Sequence, residues 1–320
     1  KIQNGFFTMS KEDDKNTIPG GKSYIDPTIF GDMKFLENDI VVTCGAKNGT
    51  NWTMFLSHLL ANDGDASFEC LYRVVPWIEF VEYPGQDPKE RVDRWLDSNW
   101  WQSSRRIFKS HMPTPPLPFE EKVKYIVTVR NPRDAAISFA KFIGRHNPEF
   151  LKIWGIEGIQ QHLNSIEAAA DDEMEKRRAA TLVKSWYALR HKSNVLLLHF
   201  ENLKKDLAGE VNKLYDFLQI KSDKYSKQEL VEKVCALASF DWMKKHEEKF
   251  EARCLAPKDP DSGKPIYILQ PGAMMRKGGS GEWKSSYSKE YIEKWENFEK
   301  EMYPDDDQRH WVKFGGDLPK

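Results

Sequence analysis

Short apolar, β-branched runs recur along the chain and alternate with stretches in which apolar positions return every three or four residues. The first run is Asp39-Ile-Val-Val-Thr-Cys44, closed by Gly45, and a helical pattern follows at once from Thr50 to about Leu60. Arg106-Ile-Phe-Lys-Ser110, Lys124-Tyr-Ile-Val-Thr-Val129 and Asn194-Val-Leu-Leu-Leu-His-Phe200 read as further strands, with helical stretches between and after them. Such alternation predicts an α/β fold, a single domain over residues 1–320 with a central parallel β-sheet flanked by helices on both faces. Leu207, Val211, Leu214 and Leu218 share one helix face and belong to the core. Periodicity fails over residues 1–30, read as an irregular N-terminal arm, and over 247–275. In the latter, Ala-Pro-Lys-Asp-Pro-Asp-Ser-Gly-Lys-Pro marks a long loop of the kind that covers an active site. Residues 303–320 read as a C-terminal tail.

Charge changes this picture little. The 48 basic and 49 acidic residues balance, so the totals recruit neither nucleic acid nor an anionic membrane, and any anion site must be local. Cys44, Cys70, Cys235 and Cys254 are scattered, which argues against a zinc site and against a disulfide framework. No apolar run reaches the roughly 18 residues of a membrane span, and no signal-peptide pattern opens the sequence. A cytoplasmic protein is the expectation. Asn48-Gly-Thr and Asn51-Trp-Thr match glycosylation acceptors, but nothing else in the chain suggests a secretory route.

Three segments carry candidate chemistry. Gly45-Ala-Lys-Asn-Gly-Thr-Asn-Trp52 lies between a strand and a helix, where unpaired backbone N–H groups and the helix dipole favour a phosphate and Lys47 adds a cation. Its competing reading is a plain tight turn. A metal-dependent nucleotide kinase would need lysine directly after the last glycine and a Ser or Thr for Mg²⁺, whereas here Lys47 precedes Gly49. In Val129-Arg-Asn-Pro-Arg-Asp-Ala-Ala-Ile-Ser138, Arg130 leaves a strand end and can bind phosphate oxygens bidentately, with Ser138 as a hydroxyl donor. The alternative for Arg130 is an ion pair with Asp134. Arg276-Lys-Gly-Gly-Ser-Gly-Glu-Trp-Lys284 joins cations to glycines that let backbone N–H groups close on an anion, and its alternative is a solvated loop. Two separate phosphate sites and a third basic loop fit a nucleotide phosphorylated at both ends.

In this order, and over roughly Phe30 to Phe314, the segments resemble the cytosolic sulfotransferases. Lys47-Asn-Gly-Thr-Asn-Trp52 is similar to the family's 5′-phosphosulfate loop, usually Lys-Ser-Gly-Thr-Thr-Trp. Arg130 through Ser138 resembles its 3′-phosphate strand and helix, and Arg276-Lys-Gly278 with Gly281-Glu-Trp283 its Arg-Lys-Gly-x-x-Gly-Asp-Trp signature. Lys109-Ser-His-Met-Pro113 is similar to its Lys-Thr-His-Leu-Pro strand end. The resemblance implies a sulfotransferase fold with a P-loop-like phosphate loop. It further implies sulfuryl transfer from 3′-phosphoadenosine 5′-phosphosulfate (PAPS) to a hydroxyl or amine of a small-molecule acceptor, without a metal.

It implies His111 as general base, Lys47 as the cation on the leaving phosphate and Lys109 as a second cation. Lys47, Asn48, Gly49, Thr50, Asn51, Trp52, Arg130, Ser138, Phe200, Ser239, Phe240, Met274, Arg276, Lys277 and Gly278 become the nucleotide-binding set. Trp77, Phe80, Phe139 and Phe142 become acceptor-pocket walls. Departures accompany the matches. Asn48 and Asn51 replace hydroxyl residues, so their amides must replace two contacts to the cofactor or lose them; Phe200 stands for a tyrosine and Ala238 for a threonine. Lys284 through Glu293 overlies the family's dimerisation motif with Thr-Val changed to Ser288-Lys289, which implies a monomer or a different dimer. A nucleotide-binding module that has lost catalysis is the alternative reading, with the kinase behind it.

Overall fold

Four short runs with both faces buried build the sheet, in a computed structural model that describes residues 24–101, 105–156, 173–259 and 262–320, the side chains of 173–175 excepted. The strands are β1 (Ile40–Thr43), β2 (Ile107–Ser110), β3 (Lys124–Val129) and β4 (Val195–His199), all parallel in the order β2-β1-β3-β4. Ile40 pairs with Ile107 on one side and Lys124 on the other, and Tyr125 pairs with Val195. Between β1 and β2 lie α1 (Thr50–Ala61), α2 (Leu71–Val74) and α3 (Pro88–Leu96); between β3 and β4 lie α4 (Pro132–Ile143), α5 (Pro148–Trp154) and α6 (Glu173–Tyr187). After β4 come α7 (Phe200–Lys205), α8 (Leu207–Leu218), α9 (Lys227–Leu237), α10 (Phe240–Lys245), α11 (Trp283–Ser286), α12 (Lys289–Met302) and α13 (Asp306–Phe314).

The period of two along each strand sorts the apolar residues into two cores. Ile40, Val42, Ile107, Ile126 and Leu198 pack with α1, α8 and α9, where Val211, Leu214 and Leu218 are fully buried, as their spacing predicts. Val41, Phe108, Tyr125, Val127 and Leu197 pack on the other face with Trp95, Trp186, Trp295 and Trp311. Because β1 leads to β2 on one side and β3 leads to β4 on the other, the connections leaving the adjacent strands β1 and β3 diverge at their carboxyl ends, which is where open α/β sheets bind ligands. The Gly45 loop, His111, Arg130 and Phe200 all sit just beyond strand ends on that edge.

Several expectations need correction. Cys70 and Cys254, 184 residues apart, form a disulfide, while Cys44 and Cys235 are free; sequence spacing holds no trace of a contact made by tertiary folding. The expected C-terminal tail carries α13, whose Trp311 and Val312 are only 2% and 1% exposed. Its charged composition hid two inward residues. Among its described residues, segment 247–275 carries single turns at Glu247–Phe250 and Arg253–Leu255 and isolated bridges from Lys258 to Pro265 and from Leu269 to His146. β4 ends at His199, and Phe200 opens α7. Of the N-terminal arm, residues 1–23 lie outside the described residues. Ile25 bridges Phe80, and Pro27–Gly31 forms one helical turn capped by Asp26. Among the described residues no helix is long and apolar enough to cross a membrane.

Candidate active site

The loop from Gly45 to α1 turns on two residues with positive φ, Lys47 at 63° and Gly49 at 93°. Glycine is required at the second, since a Cβ there would also come within 2.9 Å of the Phe200 ring. Helix α1 starts at Thr50 with neither a capping side chain nor an acidic residue in its first turn, so its N–H groups and positive end favour an anion. Lys47 stands over the Phe142 ring at 4.1 Å. Burial, then the charges of Arg130 and Arg276, push its pKa down to about 8 against the opposing pull of Glu247.

Arg130 closes the second side of this loop. Its Nη1 donates to the Lys47 carbonyl and its Nη2 to the Gly279 carbonyl, both at 2.9 Å, and the guanidinium lies 4.6 Å over the Phe200 ring. Nε is buried without a partner, a donor left for an anion. Asp134, the competing partner, instead accepts from the backbone N–H groups of Gly281 at 2.7 Å and Trp283 at 3.3 Å, which ties the basic C-terminal loop to α4. Arg276 pairs with Glu282, which also takes Lys141 at 2.6 Å. Hydrogen bonds from Arg276 and Lys141 hold the Glu282 carboxyl down at about 2 despite its partial burial. Lys277 is exposed.

His111 follows β2 and reaches back to the end of β1. Its Nδ1 is 2.6 Å from the Cys44 carbonyl, a bond that assigns the proton to Nδ1 and leaves Nε2 as the free lone pair. Burial, then the Lys109 charge, push the imidazole well below its ordinary pKa; the Cys44 carbonyl opposes this, and Arg178 and Lys47 reinforce it. The ring is neutral at neutral pH. Lys109, 3% exposed, sits 3.3 Å over the Trp77 ring and 4.9 Å over Tyr72. Burial lowers its pKa, and the nearby Glu79 charge partly offsets this. Glu79 is fully buried, accepts the His111 backbone N–H at 2.5 Å, and has its own carboxyl pushed up by burial. Sequence reasoning missed Glu79; the available signal was an acid inside the apolar run Pro76-Trp-Ile-Glu79.

These groups line one cleft of about 530 Å³. It brings together Lys47, Gly49, Thr50, Asn51, Trp52, Lys109, His111, Arg130 and Ser138 from the strand ends and first helical turns. Phe200, Ser239, Phe240, Met274, Arg276, Lys277 and Gly278 form another wall, and Trp77, Phe139 and Phe142 a third. Tyr24, Ile25, Tyr72, Glu251, Ala252, Ile268 and Leu269 also line it, so the arm and segment 247–275 both contribute. Two anticipated residues lie outside. Asn48 is 6% exposed, donates to the Ala46 carbonyl at 3.0 Å and faces a separate crevice beside α4 and α6. Phe80 is buried behind Trp77, with ring centroids 5.2 Å apart. The amide of Asn51 is committed within the protein, donating to the Phe250 carbonyl at 3.0 Å and accepting from Tyr72 at 2.9 Å. It braces the covering segment, where a hydroxyl is too short to reach both partners. Trp52 donates to the Ala238 carbonyl at 2.9 Å and meets Phe200 edge-on at 5.7 Å.

Comparison with known proteins agrees with this geometry. The family model for the sulfotransferase domain matches residues 37–305. Human sulfotransferase 1E1 is 26% identical over 272 residues, covering 83% of this chain and 84% of its own. The guinea-pig (Cavia porcellus) 3-alpha-hydroxysteroid sulfotransferase is 29% identical over 273 residues, 80% of each chain. Among solved structures, retinol dehydratase in a complex with retinol and PAP shares the fold with a TM-score of 0.64 at 22% identity, covering 87% of this chain and 84% of that one. Mouse sulfotransferase SULT7A1 complexed with PAP does so with a TM-score of 0.63 at 19% identity, covering 91% and 93%. With a glycine- and lysine-bearing loop and a histidine-bearing strand end on a parallel sheet, and the family model matched from residue 37 to residue 305, this chain belongs to the sulfotransferase family of enzymes.

Proposed function

We propose that this enzyme transfers a sulfuryl group from PAPS to a hydroxyl or amine of a small-molecule acceptor, with His111 as general base. The observation that carries the reading is the His111 Nδ1 to Cys44 carbonyl bond of 2.6 Å, which leaves a neutral imidazole with a free Nε2 in the cleft that Lys47, Lys109 and α1 also line. When bound, PAPS supplies an activated sulfuryl group on a phosphate leaving group. The N–H groups of Gly49, Thr50 and Asn51 and the Lys47 ammonium hold that phosphate and neutralise its growing charge. Arg130 through its spare Nε, with Ser138, Arg276, Lys277 and Gly278, holds the 3′-phosphate, which selects this nucleotide over ATP. Trp52, Phe200, Ser239, Phe240 and Met274 flank the adenine. His111 Nε2 removes the acceptor proton, a role worth about 10²- to 10⁴-fold in rate. Lys109 is the second cation beside the reacting groups, and Trp77, Phe139 and Phe142 form aromatic walls suited to a ring-containing acceptor.

Relatives support this: one is named for a hydroxysteroid, and the solved neighbours are complexes with PAP, the nucleotide that PAPS leaves behind. Transfer of labelled sulfuryl from PAPS to a panel of phenols, aliphatic alcohols, amines and polycyclic alcohols tests it, with His111→Ala in parallel. The parent should label at least one acceptor class. His111→Ala should fall at least about 10²-fold while binding the product nucleotide, 3′-phosphoadenosine 5′-phosphate, within a few-fold of the parent. An unchanged rate in His111→Ala would place the base elsewhere. Nucleotide binding without transfer in the parent would make the protein a binding module.

A further inference from the structure

Tyr72 and Trp77, which line the cleft, also line a second, smaller crevice of about 60 Å³ together with Arg91, Arg94, Trp95 and Trp100. Arg91 brings an unfilled charge to it. Among the described residues three arginines are buried, Arg91, Arg106 and Arg133. Two of them turn the same edge, Nε with Nη2, onto a carboxylate: Arg133 onto Glu299 through bonds of 2.8 Å each, and Arg106 onto both oxygens of Asp39. Arg91, 1% exposed, uses only Nη1, which donates to the carbonyls of Ile78 at 2.9 Å and of Phe80. Its Nε and Nη2 are buried with no partner among the described residues, and so is the indole Nε1 of Trp100 in the same crevice. Neighbouring carboxylates do not fill this edge. Glu82 holds Arg94 with both oxygens, at 2.7 and 3.0 Å, while Asp26 and Glu79 act on Arg91 only through space. Arg73 and Arg94 lie against the Trp100 ring, 3.4 and 5.2 Å from its centre, so three cations and one carboxylate line the crevice.

We propose that this crevice is a binding site for a small organic carboxylate, held by Arg91 Nε and Nη2 with Trp100 Nε1 as a further donor. The unpartnered groups are all donors, which calls for a ligand made only of hydrogen-bond acceptors, and a buried guanidinium left unpaired is costly. The planar edge of Nε and Nη2 matches a carboxylate, as it does at Glu299 and Asp39. The aromatic walls of Trp77, Phe80 and Trp95 favour an organic body over a strongly hydrated inorganic ion. Volume sets the size. A water needs about 10–15 Å³ of such space, so the crevice holds about four to six heavy atoms, the range from acetate to butyrate. The site is separate from the nucleotide-binding residues, and its occupancy does not depend on sulfuryl transfer.

The test titrates propionate into the full chain with the cleft saturated by 3′-phosphoadenosine 5′-phosphate, and follows the indole N–H resonances by NMR. The Trp100 resonance, assigned by its disappearance in Trp100→Phe, should move saturably as its N–H gains an acceptor. Arg91→Met should weaken propionate at least about tenfold, and Arg91→Lys should weaken it comparably, because an ammonium keeps the charge without the two-pronged edge. Trp100→Phe, which removes one N–H and keeps an aromatic ring, should weaken it about threefold or more, read from the carboxyl signal of labelled propionate. If the Arg91 variants fail to fold, Trp100→Phe decides. A Trp100 resonance unmoved up to about 100 mM propionate, or equal affinity in parent and variants, overturns the site. Sulfate that competes as well as propionate overturns the carboxylate assignment. Propionate binding that is seen only when the nucleotide is left out places the ligand in the cleft, and overturns the proposal as well.

Discussion

A methyl group at Gly278 would enter occupied space. The residue holds φ at +58°, and a Cβ would come within 2.6 Å of the Phe240 ring, which is 41% exposed where it lines the cleft. Gly278→Ala therefore combines backbone strain of about 1–2 kcal/mol with a displaced aromatic wall. Its affinity for 3′-phosphoadenosine 5′-phosphate should fall at least about tenfold by calorimetry, since 1.4 kcal/mol is a factor of ten. Gly279→Ala, where a Cβ meets nothing within 4 Å, is the control and should bind as the parent does. Equal affinities for the two would remove Gly278 from the nucleotide wall. Lys47 gives a second prediction at this scale. With its pKa near 8 in the free protein, the ammonium is present below that pH and lost above it, so nucleotide affinity should weaken as pH rises through 8. Lys47→Arg keeps its charge to far higher pH and should move the fall upward. A parent and variant with the same pH profile would show that another group titrates.

At the scale of elements, α4 is aimed by a buried ionic network. Arg133 and Glu299 are 1% and 0% exposed and meet through two parallel bonds of 2.8 Å. Lys313 adds a third contact to Glu299 at 3.1 Å, and Asn131, the α4 cap, donates to the Lys313 carbonyl at 3.0 Å. The network thereby links α4, α12 and α13, and with them the strand end that carries Arg130. Removing one member of a buried pair strands the other, which typically costs about 3–5 kcal/mol, so Arg133→Met should lower unfolding free energy by that order in denaturant titrations. Glu299→Leu added to Arg133→Met should recover much of the loss, because the double variant leaves no stranded carboxylate. Additive losses would instead mean that the two side chains act independently. The same scale explains Ser288, which the sequence sets inside an interface motif: its hydroxyl accepts the Tyr291 N–H at 3.2 Å and caps α12.

Across the whole molecule, what the sequence made legible follows a physical rule. The β-branched runs and the period of two marked the sheet, and glycine with cations at strand ends marked loops that line the cleft, because these signals are local. Glu79, the Asn51 amide, the Cys70–Cys254 pair and the inward face of α13 depend on partners brought together only by folding, so no spacing announced them. Two buried histidines behave the same way and shape the response to acid. His58 and His199 are 5% and 0% exposed, and burial lowers each to about 4, in His58 against a weaker pull from Asp65 and in His199 against the Val312 carbonyl. An unfolded histidine takes up its proton near pH 6.5. Between about pH 6.5 and 4 the unfolded chain therefore binds more protons than the folded one, and stability falls as pH drops through that window, by up to about 3 kcal/mol per histidine. His199 also has a structural stake. Its Nδ1 accepts the Glu201 N–H at 3.2 Å to cap α7, while Nε2 bonds to the Val312 carbonyl of α13 at 3.1 Å, so protonating Nδ1 breaks the cap. The melting temperature should drop steeply from pH 7 to pH 5, and His58→Gln, less stable at pH 7, should show a shallower drop. An equal drop in both proteins would mean that His58 is already charged in the fold, and the acid response would then have to come from carboxylates.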